Sequence, residues 1–348
     1  MDAGLILAVE TSCDETAVAI ARGDGEILYS EVASQIELHS PYGGVVPELA
    51  SRNHSLDLRP LLERALEKAA LTWPRVDVLA ATAGPGLASS LLVGDTTAKA
   101  IALGLGRPFY SINHMEGHLL SPFIASGRPI EPHVALIASG GHTLIVKVDG
   151  VSDYRVMGST KDDAAGEAFD KVGKMLGLAY PGGPEVARMA EGGAIDAFRF
   201  PRSMMDSGDF QFSFSGLKTS ARYALEKLGQ PLSERTLRDF CASFQEAVVD
   251  VLVTKLFAAA KAEGSSIATV SGGVSCNERL RIRAKETASA SGIELVLAAP
   301  AYSTDNAAMI AYAAAKRREA GIPGSPFDRD IDPNLKLEGV IPRVRSQG

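Results

Sequence analysis

The sequence predicts an α/β protein with helix-covered sheets in two facing copies of one design, and three observations predict it. Short apolar runs of strand length alternate with longer stretches of helical spacing along the chain. Three of those runs end in glycine turns, at Gly84-Pro85-Gly86, Gly140-Gly141 and Gly272-Gly273. In an α/β protein such loops gather at one end of the sheet, where ligands bind. Finally, the runs near residues 5 and 134 open alike, as hairpins with a small polar tip, which reads as one supersecondary unit used twice across a cleft.

Size and composition agree with this reading. At 348 residues the chain is long for one core, so two domains are expected. Hydrophobic residues make up 46% and charged residues 22%, ordinary globular usage, while 34 glycines exceed the usual share of about 7%. The excess points to tight turns and to backbone approaching a ligand. Cys13, Cys241 and Cys276 are odd in number and form no CxxC pair, so they read as reduced thiols of a cytoplasmic protein. The start lacks a basic leader, and the longest apolar stretch, residues 248–260, is broken by Asp250 and Lys255, so neither export nor a membrane span is expected. With 35 Lys and Arg against 42 Asp and Glu, the net charge of −7 has the wrong sign for gripping nucleic acid by an overall field. RNA contact would have to be local or shared with a partner. Two local clusters, Arg279, Arg281, Arg283 and Lys285, and Lys316, Arg317 and Arg318, are either such patches or solvated helix faces.

Each element follows from local pattern. Residues 5–20 run apolar, then polar over ETSCDET at 10–16, then apolar again, which predicts a strand, a tight turn and a second strand. Pro47–Lys68 has helical spacing, with Leu49, Leu56, Leu61, Leu62 and Leu66 on one face. A strand over 76–82 leads into the turn at Gly84, and residues 89–105 form a helix rich in Ala, Leu and Gly. Residues 108–112 begin another strand, which runs into the segment holding His114 and His118. Beyond a linking stretch near 122–132, strands over 134–138 and 143–148 enclose the Ser139-Gly140-Gly141-His142 turn. Helices over 162–176 and 184–191 flank Tyr180-Pro181-Gly182-Gly183. A long helix over 233–262 opens on the cap Ser233, a strand over 267–270 precedes Gly272-Gly273, and a helix over 277–291 and a strand over 294–297 follow. The last helix, 305–320, begins on Asp305-Asn306.

Several residues carry chemical promise. The glycine turns match neither GxxxxGK[ST] nor GxGxxG, which disfavours those two nucleotide-binding modes, but small residues after strands let N–H groups face phosphate oxygens. His114 and His118 stand four apart, on one face of a helix, so they are either a metal pair or histidines held by ordinary hydrogen bonds. Asp305 is either an oxygen ligand for the same ion or a helix cap. Two imidazoles and one carboxylate would leave positions open for substrate, a pattern compatible with iron or zinc. Glu116 does not directly follow His114, so HExxH metallopeptidase chemistry is not encoded. Asp170 either faces solvent or borders a cleft with the Gly182-Gly183 turn, and Asp14 and Glu15, acidic at a hairpin tip, are weak candidates for catalysis.

The blocks ETSCDET (10–16), PYGGVVPELASRNH (41–54), AGPGLASSLLVG (83–94), NHMEGH (113–118), ASGGHT (138–143), GEAFDKV (166–172), YPGGP (180–184), FSFSGLKT (212–219) and SGGVSCN (271–277), in this order, closely resemble the universal tRNA threonylcarbamoyladenosine transferase family in its bacterial form. The resemblance implies an actin-like ATPase fold (sugar kinase, heat-shock protein, actin), with two duplicated ribonuclease-H-like lobes around a nucleotide cleft. The lobes implied are residues 1–130 with about 300–348, and residues 131–299. It implies His114, His118 and Asp305 as ligands of one metal ion, Fe²⁺ with zinc as the alternative, and Ile137, Ala138, Ser139, Gly140, Gly141, Asp170, Gly183 and Asn277 as the holders of an adenylate. The reaction implied is transfer of threonylcarbamoyl from threonylcarbamoyl-AMP to the N6 amine of the tRNA adenosine 3′ of the anticodon. The implied partners are tRNA, a paralogous TsaB-type subunit and a TsaE-type ATPase. A sugar phosphotransferase on the same fold would leave the paired histidines without a purpose, and a silent scaffold would not need all three ligand-type residues.

Overall fold

The computed structural model describes residues 4–229 and 231–337. The expected N-terminal lobe extends into residues 1–3 and 338–348, which lie outside the described residues.

The first sheet is built from β1 (Leu5–Glu10), β2 (Glu15–Arg22), β3 (Ile27–Ser34), β4 (Val78–Gly84) and β5 (Phe109–Asn113). Helices α1 (Ile36–His39), α2 (Pro47–Lys68), α3 (Ala88–Leu105) and α4 (His114–Leu120) connect or follow these strands. The second half contains β6 (His133–Ala138), β7 (Thr143–Gly150), β8 (Asp153–Ser159), α5 (Ala165–Met175), α6 (Gly182–Ala190), α7 (Ser215–Leu228), α8 (Glu234–Ala262), β9 (Ile267–Ser271), α9 (Glu278–Ser291), β10 (Glu294–Leu297) and α10 (Ala307–Glu319).

Both sheets have the same plan. The first runs β3-β2-β1-β4-β5, and the second, read from its other edge, runs β8-β7-β6-β9-β10. In each, the opening hairpin is antiparallel and the two later strands lie parallel to the first strand. The two similar hairpin openings seen in the sequence are therefore the starts of two equivalent sheets. Because β1, β4 and β5 are parallel, their C-terminal ends share one edge, and the chain leaves that edge into the 11–14 tip, the Gly84 turn and α4.

The strands that the sequence reveals best are buried on both faces, as continuous apolar runs: β4 and β6 are buried at every position. The edge strands β3 and β8 were not expected. β3 alternates between exposed and half-buried positions, so its apolar signal is diluted. Helix α7, also unexpected, buries only Leu217, Ala221 and Leu225. On α2, Leu56 is 72% exposed and Leu58, at 3%, takes the inner position instead. Counting inward from His54, residues 58, 61, 62 and 65 complete the buried stripe, so the true face is rotated from the one read off the leucines.

Two packing relationships position the site. Ala307 to Ala315 of α10 pack with Ile6, Ala8, Ala17 and Ala19, so the chain's last helix returns to the first sheet. Downstream of it, the Asp332 amide donates to the Ala83 carbonyl at 2.8 Å and the Gly86 amide to the Pro333 carbonyl at 3.1 Å, which pins the Gly84 turn. The second core gathers around α8, which packs on α6, α9 and β6 and, through Phe244, on Phe169 of α5.

Candidate metal centre and the adjoining glycine turns

Helix α4 starts immediately after β5 because Asn113 caps it: the Asn113 side-chain carbonyl accepts the Met115 amide at 2.8 Å. His114 is thus the first helical residue and His118 lies one turn on, with ring centroids 4.8 Å apart. The other half of the centre comes from the far end of the chain. Asn306, not Asp305, caps α10, accepting the Met309 amide at 2.9 Å. Asp305 is left free to turn its Oδ1 toward Nε2 of His118 at 3.0 Å and Nε2 of His114 at 3.3 Å. The three ligand-type atoms lie within 4.8 Å of one another and could hold a metal ion.

Whether these residues suit a cation can be tested on their surroundings. Nδ1 of His114 lies 3.0 Å from Glu10 Oε2 and 3.1 Å from Ser12 Oγ. A carboxylate holding one ring nitrogen leaves the other aimed at the ion, as is usual for a metal-bound histidine. Glu10 is fully buried at the end of β1 and is itself fixed by the Ser12 amide and the Thr82 hydroxyl. Charge gives a second argument. Burial raises Glu15 to about 10, and Asp305, Asp14 and Glu10 add to it, so this corner holds more carboxylates than can all ionise without a cation. Both observations fit a divalent ion.

Among the three ligand-type residues, burial and the neighbouring charges pull in opposite directions. Burial alone would lower His114, but the Asp305 and Glu10 carboxylates outweigh it and hold the imidazole well above its ordinary value. Burial likewise opposes ionisation of Asp305, and His114 overrides it, holding the carboxyl well below the usual range. Burial wins at His118, which is lowered, and its Nδ1 is buried without a hydrogen-bond partner among the described residues.

The glycine turn after β6 lies beside this group. His142 is lowered to about 4, first by burial and then by the nearby charges of His114 and His118. Ser139 closes the turn, its Oγ accepting the His142 amide at 3.2 Å. Gly140 and Gly141 are exposed, and a β-carbon on either would meet nothing within 4 Å. The fold therefore does not demand glycine there, whereas backbone approach by a ligand would. Ile137 and Ala138 are fully buried strand residues and offer only main-chain atoms. Asp170 Oδ1 accepts the amides of Gly182 at 2.8 Å and Gly183 at 3.2 Å; burial raises this carboxyl, against those two bonds. A β-carbon at Gly183 would touch only Cβ of Phe169, at 3.8 Å. Asn277 caps α9 through the Leu280 amide at 3.1 Å, and its amide donates to Gln245 at 2.7 Å. The Asp14 charge adds to the burial that raises both Asp170 and Tyr180, so the first hairpin tip lies near the Tyr180 turn.

Sequence reasoning missed Glu10 and Ser12 as the partners of His114. A charged residue ending an otherwise apolar strand was the signal for Glu10. Several members of the two basic clusters are engaged within the protein, while Lys285 stays exposed. Arg279 is engaged by Glu246 at 2.6 Å, and Arg281 donates to the carbonyls of Ser275 and Ala298. Arg317 is 2% exposed and paired internally with Glu116, and Lys316 binds Glu319 at 2.7 Å. Among the described residues, no helix is long and apolar enough to cross a membrane.

The profile of the family described as "TsaD: tRNA N6-adenosine threonylcarbamoyltransferase" matches residues 26–312. The tRNA N6-adenosine threonylcarbamoyltransferase of Bdellovibrio bacteriovorus is 50% identical over 322 residues, covering 91% of this chain and 93% of that protein. That of Geotalea uraniireducens is 49% identical over 342 residues, covering 98% of each chain. Among solved structures, full-length HypF in a phosphate- and nucleotide-bound form superposes with a TM-score of 0.61 at 15% identity, covering 92% of this chain and 47% of that one, a likeness of fold alone. The two equivalent sheets are the paired lobes of the actin-like ATPase fold. With a matching profile and relatives of half-identical sequence over nearly its full length, the chain belongs to the tRNA N6-adenosine threonylcarbamoyltransferases, enzymes that place a threonylcarbamoyl group on adenosine in tRNA.

Proposed function

We propose that the chain takes the threonylcarbamoyl group from threonylcarbamoyl-AMP and joins it to the N6 amine of adenosine 37, 3′ of the anticodon, in tRNAs reading ANN codons, releasing AMP. The observation that carries this reading is the three-donor group of His114, His118 and Asp305 beside a turn whose glycines face open space. In the reaction the amine nitrogen attacks the carbamoyl carbon, the bond from that carbon to the phosphate oxygen breaks, AMP leaves with the electron pair, and the nitrogen loses a proton.

An aromatic amine is a weak nucleophile, so the residues around the site act mainly by holding both reactants in attack geometry. Ser139, Gly140 and Gly141, with the main chain of Ile137 and Ala138, take the AMP portion together with Asp170, Gly183 and Asn277. His114, His118 and Asp305 hold one metal ion per subunit, Fe²⁺ or alternatively zinc. A bound ion there supplies Lewis acidity toward the threonylcarbamoyl oxygens. Asp14 at the hairpin tip, and Glu15 once a bound cation lets it ionise, are the candidates for taking up the amine proton.

The lobes divide at residues 1–130 with about 300–348 and at 131–299, a division supported by the packing of α10 on β1 and β2. The partners proposed are a paralogous TsaB-type subunit and a TsaE-type ATPase. An exposed groove of about 730 Å³ between α2 and α3, lined by Trp73, Leu92, Val93 and Ile101 and by Arg59 and Glu63, leaves room for a protein partner. Internal commitment of Arg279, Arg281 and Arg317 supports a partner's share in binding RNA. A cytoplasmic location is supported by the free state of Cys13, Cys241 and Cys276.

The test mixes purified chain, threonylcarbamoyl-AMP and unmodified tRNA, with and without the partner subunits, and follows the modified nucleoside by mass. Loss of product in His118→Ala with the adenylate still bound is expected. Unchanged single-turnover transfer by that variant would refute the metal's part.

A further inference from the structure

The gap between the two histidines and Asp305 is set by how α4 crosses α10, and two contacts lock that crossing. A β-carbon at Gly117 would lie 2.9 Å from Cγ of Met309, so the helices approach closely there. Beside it, Glu116 stands between the two histidines in sequence but projects from the other side of α4. It is 0% exposed and is gripped at both oxygens by Arg317 of α10, which is 2% exposed: Nε of Arg317 donates to Oε1 at 3.0 Å and Nη2 to Oε2. The third arm of Arg317 donates to the Ser111 carbonyl of β5 at 2.9 Å.

The same carboxylate also accepts the Tyr154 hydroxyl of β8 at 3.1 Å and the Ser152 hydroxyl at 3.3 Å. It therefore joins α4, α10 and the second sheet at one buried point. A buried ion pair is costly to break, because the survivor is left as an unpaired charge. The helices relax around the loss, and the ligand atoms move with them.

We propose that Glu116 and Arg317 are positioning residues for the metal centre, their buried pair holding α4 against α10 so that His114, His118 and Asp305 converge on one point. This rests on the reading of those three residues as metal ligands. Neither member of the pair touches the ligand atoms; each acts through the backbone that carries them.

The test titrates the full chain with Co²⁺ and follows both affinity and the visible spectrum, alongside the melting temperature of the metal-free protein. Four variants are compared with the parent: His118→Ala, Glu116→Gln, Arg317→Lys, and Leu225→Ala in the second core as a control for lost stability. Glu116→Gln and Arg317→Lys are expected to weaken Co²⁺ about tenfold and to alter its spectrum, while Leu225→Ala melts earlier with both unchanged. If Glu116→Gln does not fold, Arg317→Lys, which keeps the charge but loses the two-pronged grip, decides alone. The proposal is overturned if the folded pair variants bind Co²⁺ with the parent's affinity and spectrum. A parent chain that takes up no Co²⁺, or a His118→Ala variant as tight as the parent, instead sinks the ligand reading, and the proposal with it.

Discussion

Asp305 lies 3.0 Å from Nε2 of His118 although 187 residues separate them, and it can do so because Asn306 next to it has taken over the capping of α10. Adjacent side chains divide two tasks, one holding the helix and one reaching the histidines. The division makes their effects separable.

Asp305→Asn is expected to leave the α10 cap intact and to lower metal affinity about 100-fold or more, since residues that merely hydrogen-bond a ligand are worth about 10–100-fold. Asn306→Ala is expected to cost about 1 kcal/mol of stability. Metal content by elemental mass spectrometry and denaturant midpoints distinguish the two; equal metal content in Asp305→Asn and the parent would contradict the assignment.

Gly140 in the turn and Gly166 on α5, which packs against it, should behave oppositely according to what their β-carbons would meet. Gly140→Ala opens onto free space and is expected to leave the melting temperature unchanged while weakening adenylate binding about tenfold, or roughly 1.4 kcal/mol. Gly166→Ala would put a β-carbon 2.6 Å from the Ser139 carbonyl and is expected to destabilise the protein by about 1–3 kcal/mol. Calorimetry of both variants, melting and binding, checks the contrast.

His133 is fully buried, with Nδ1 donating to the Glu131 carbonyl at 2.7 Å, and burial lowers it to about 4. The unfolded chain takes up this proton near pH 6.5 and the folded chain only near 4, so stability is lost as pH falls through that window. The loss assigned to His133 is about 3 kcal/mol by pH 4. Denaturant midpoints of the parent and His133→Gln between pH 4 and 7 test it; parallel curves would remove His133 as the cause.

Because Arg279, Arg281 and Arg317 are spent on internal contacts, the isolated chain is expected to bind unmodified tRNA weakly and to gain affinity with the paralogous subunit. Filter binding across a salt series checks this. A tight, salt-insensitive complex of the chain alone would contradict it.

The elements most legible in the sequence were those whose environment is uniform. β4 and β6, buried throughout, read as continuous apolar runs, and the Ser233 cap of α8, accepting the Thr236 amide at 3.1 Å, was visible from its position before the helical pattern. The edge strands β3 and β8 escaped because one face meets solvent and the apolar signal halves. On α2 the leucines misled, since Leu56 faces out and His54, buried against Thr16, Gln35 and the Cys13 carbonyl, belongs to the inner stripe.

By itself the sequence determined the alternation of strands and helices, the glycine turns and the histidine pair, because these depend on neighbours within a few residues along the chain. Only the tertiary structure decided whether Asp305 caps or reaches the histidines, that Glu10 supports His114, and that Arg317 lies inside the protein. Those outcomes depend on the parallel order that brings the ends of β1, β4 and β5 to one edge, and on α10 returning to pack on the first sheet. Contacts between distant segments are fixed by the closure of the whole core, and no local pattern carries that information.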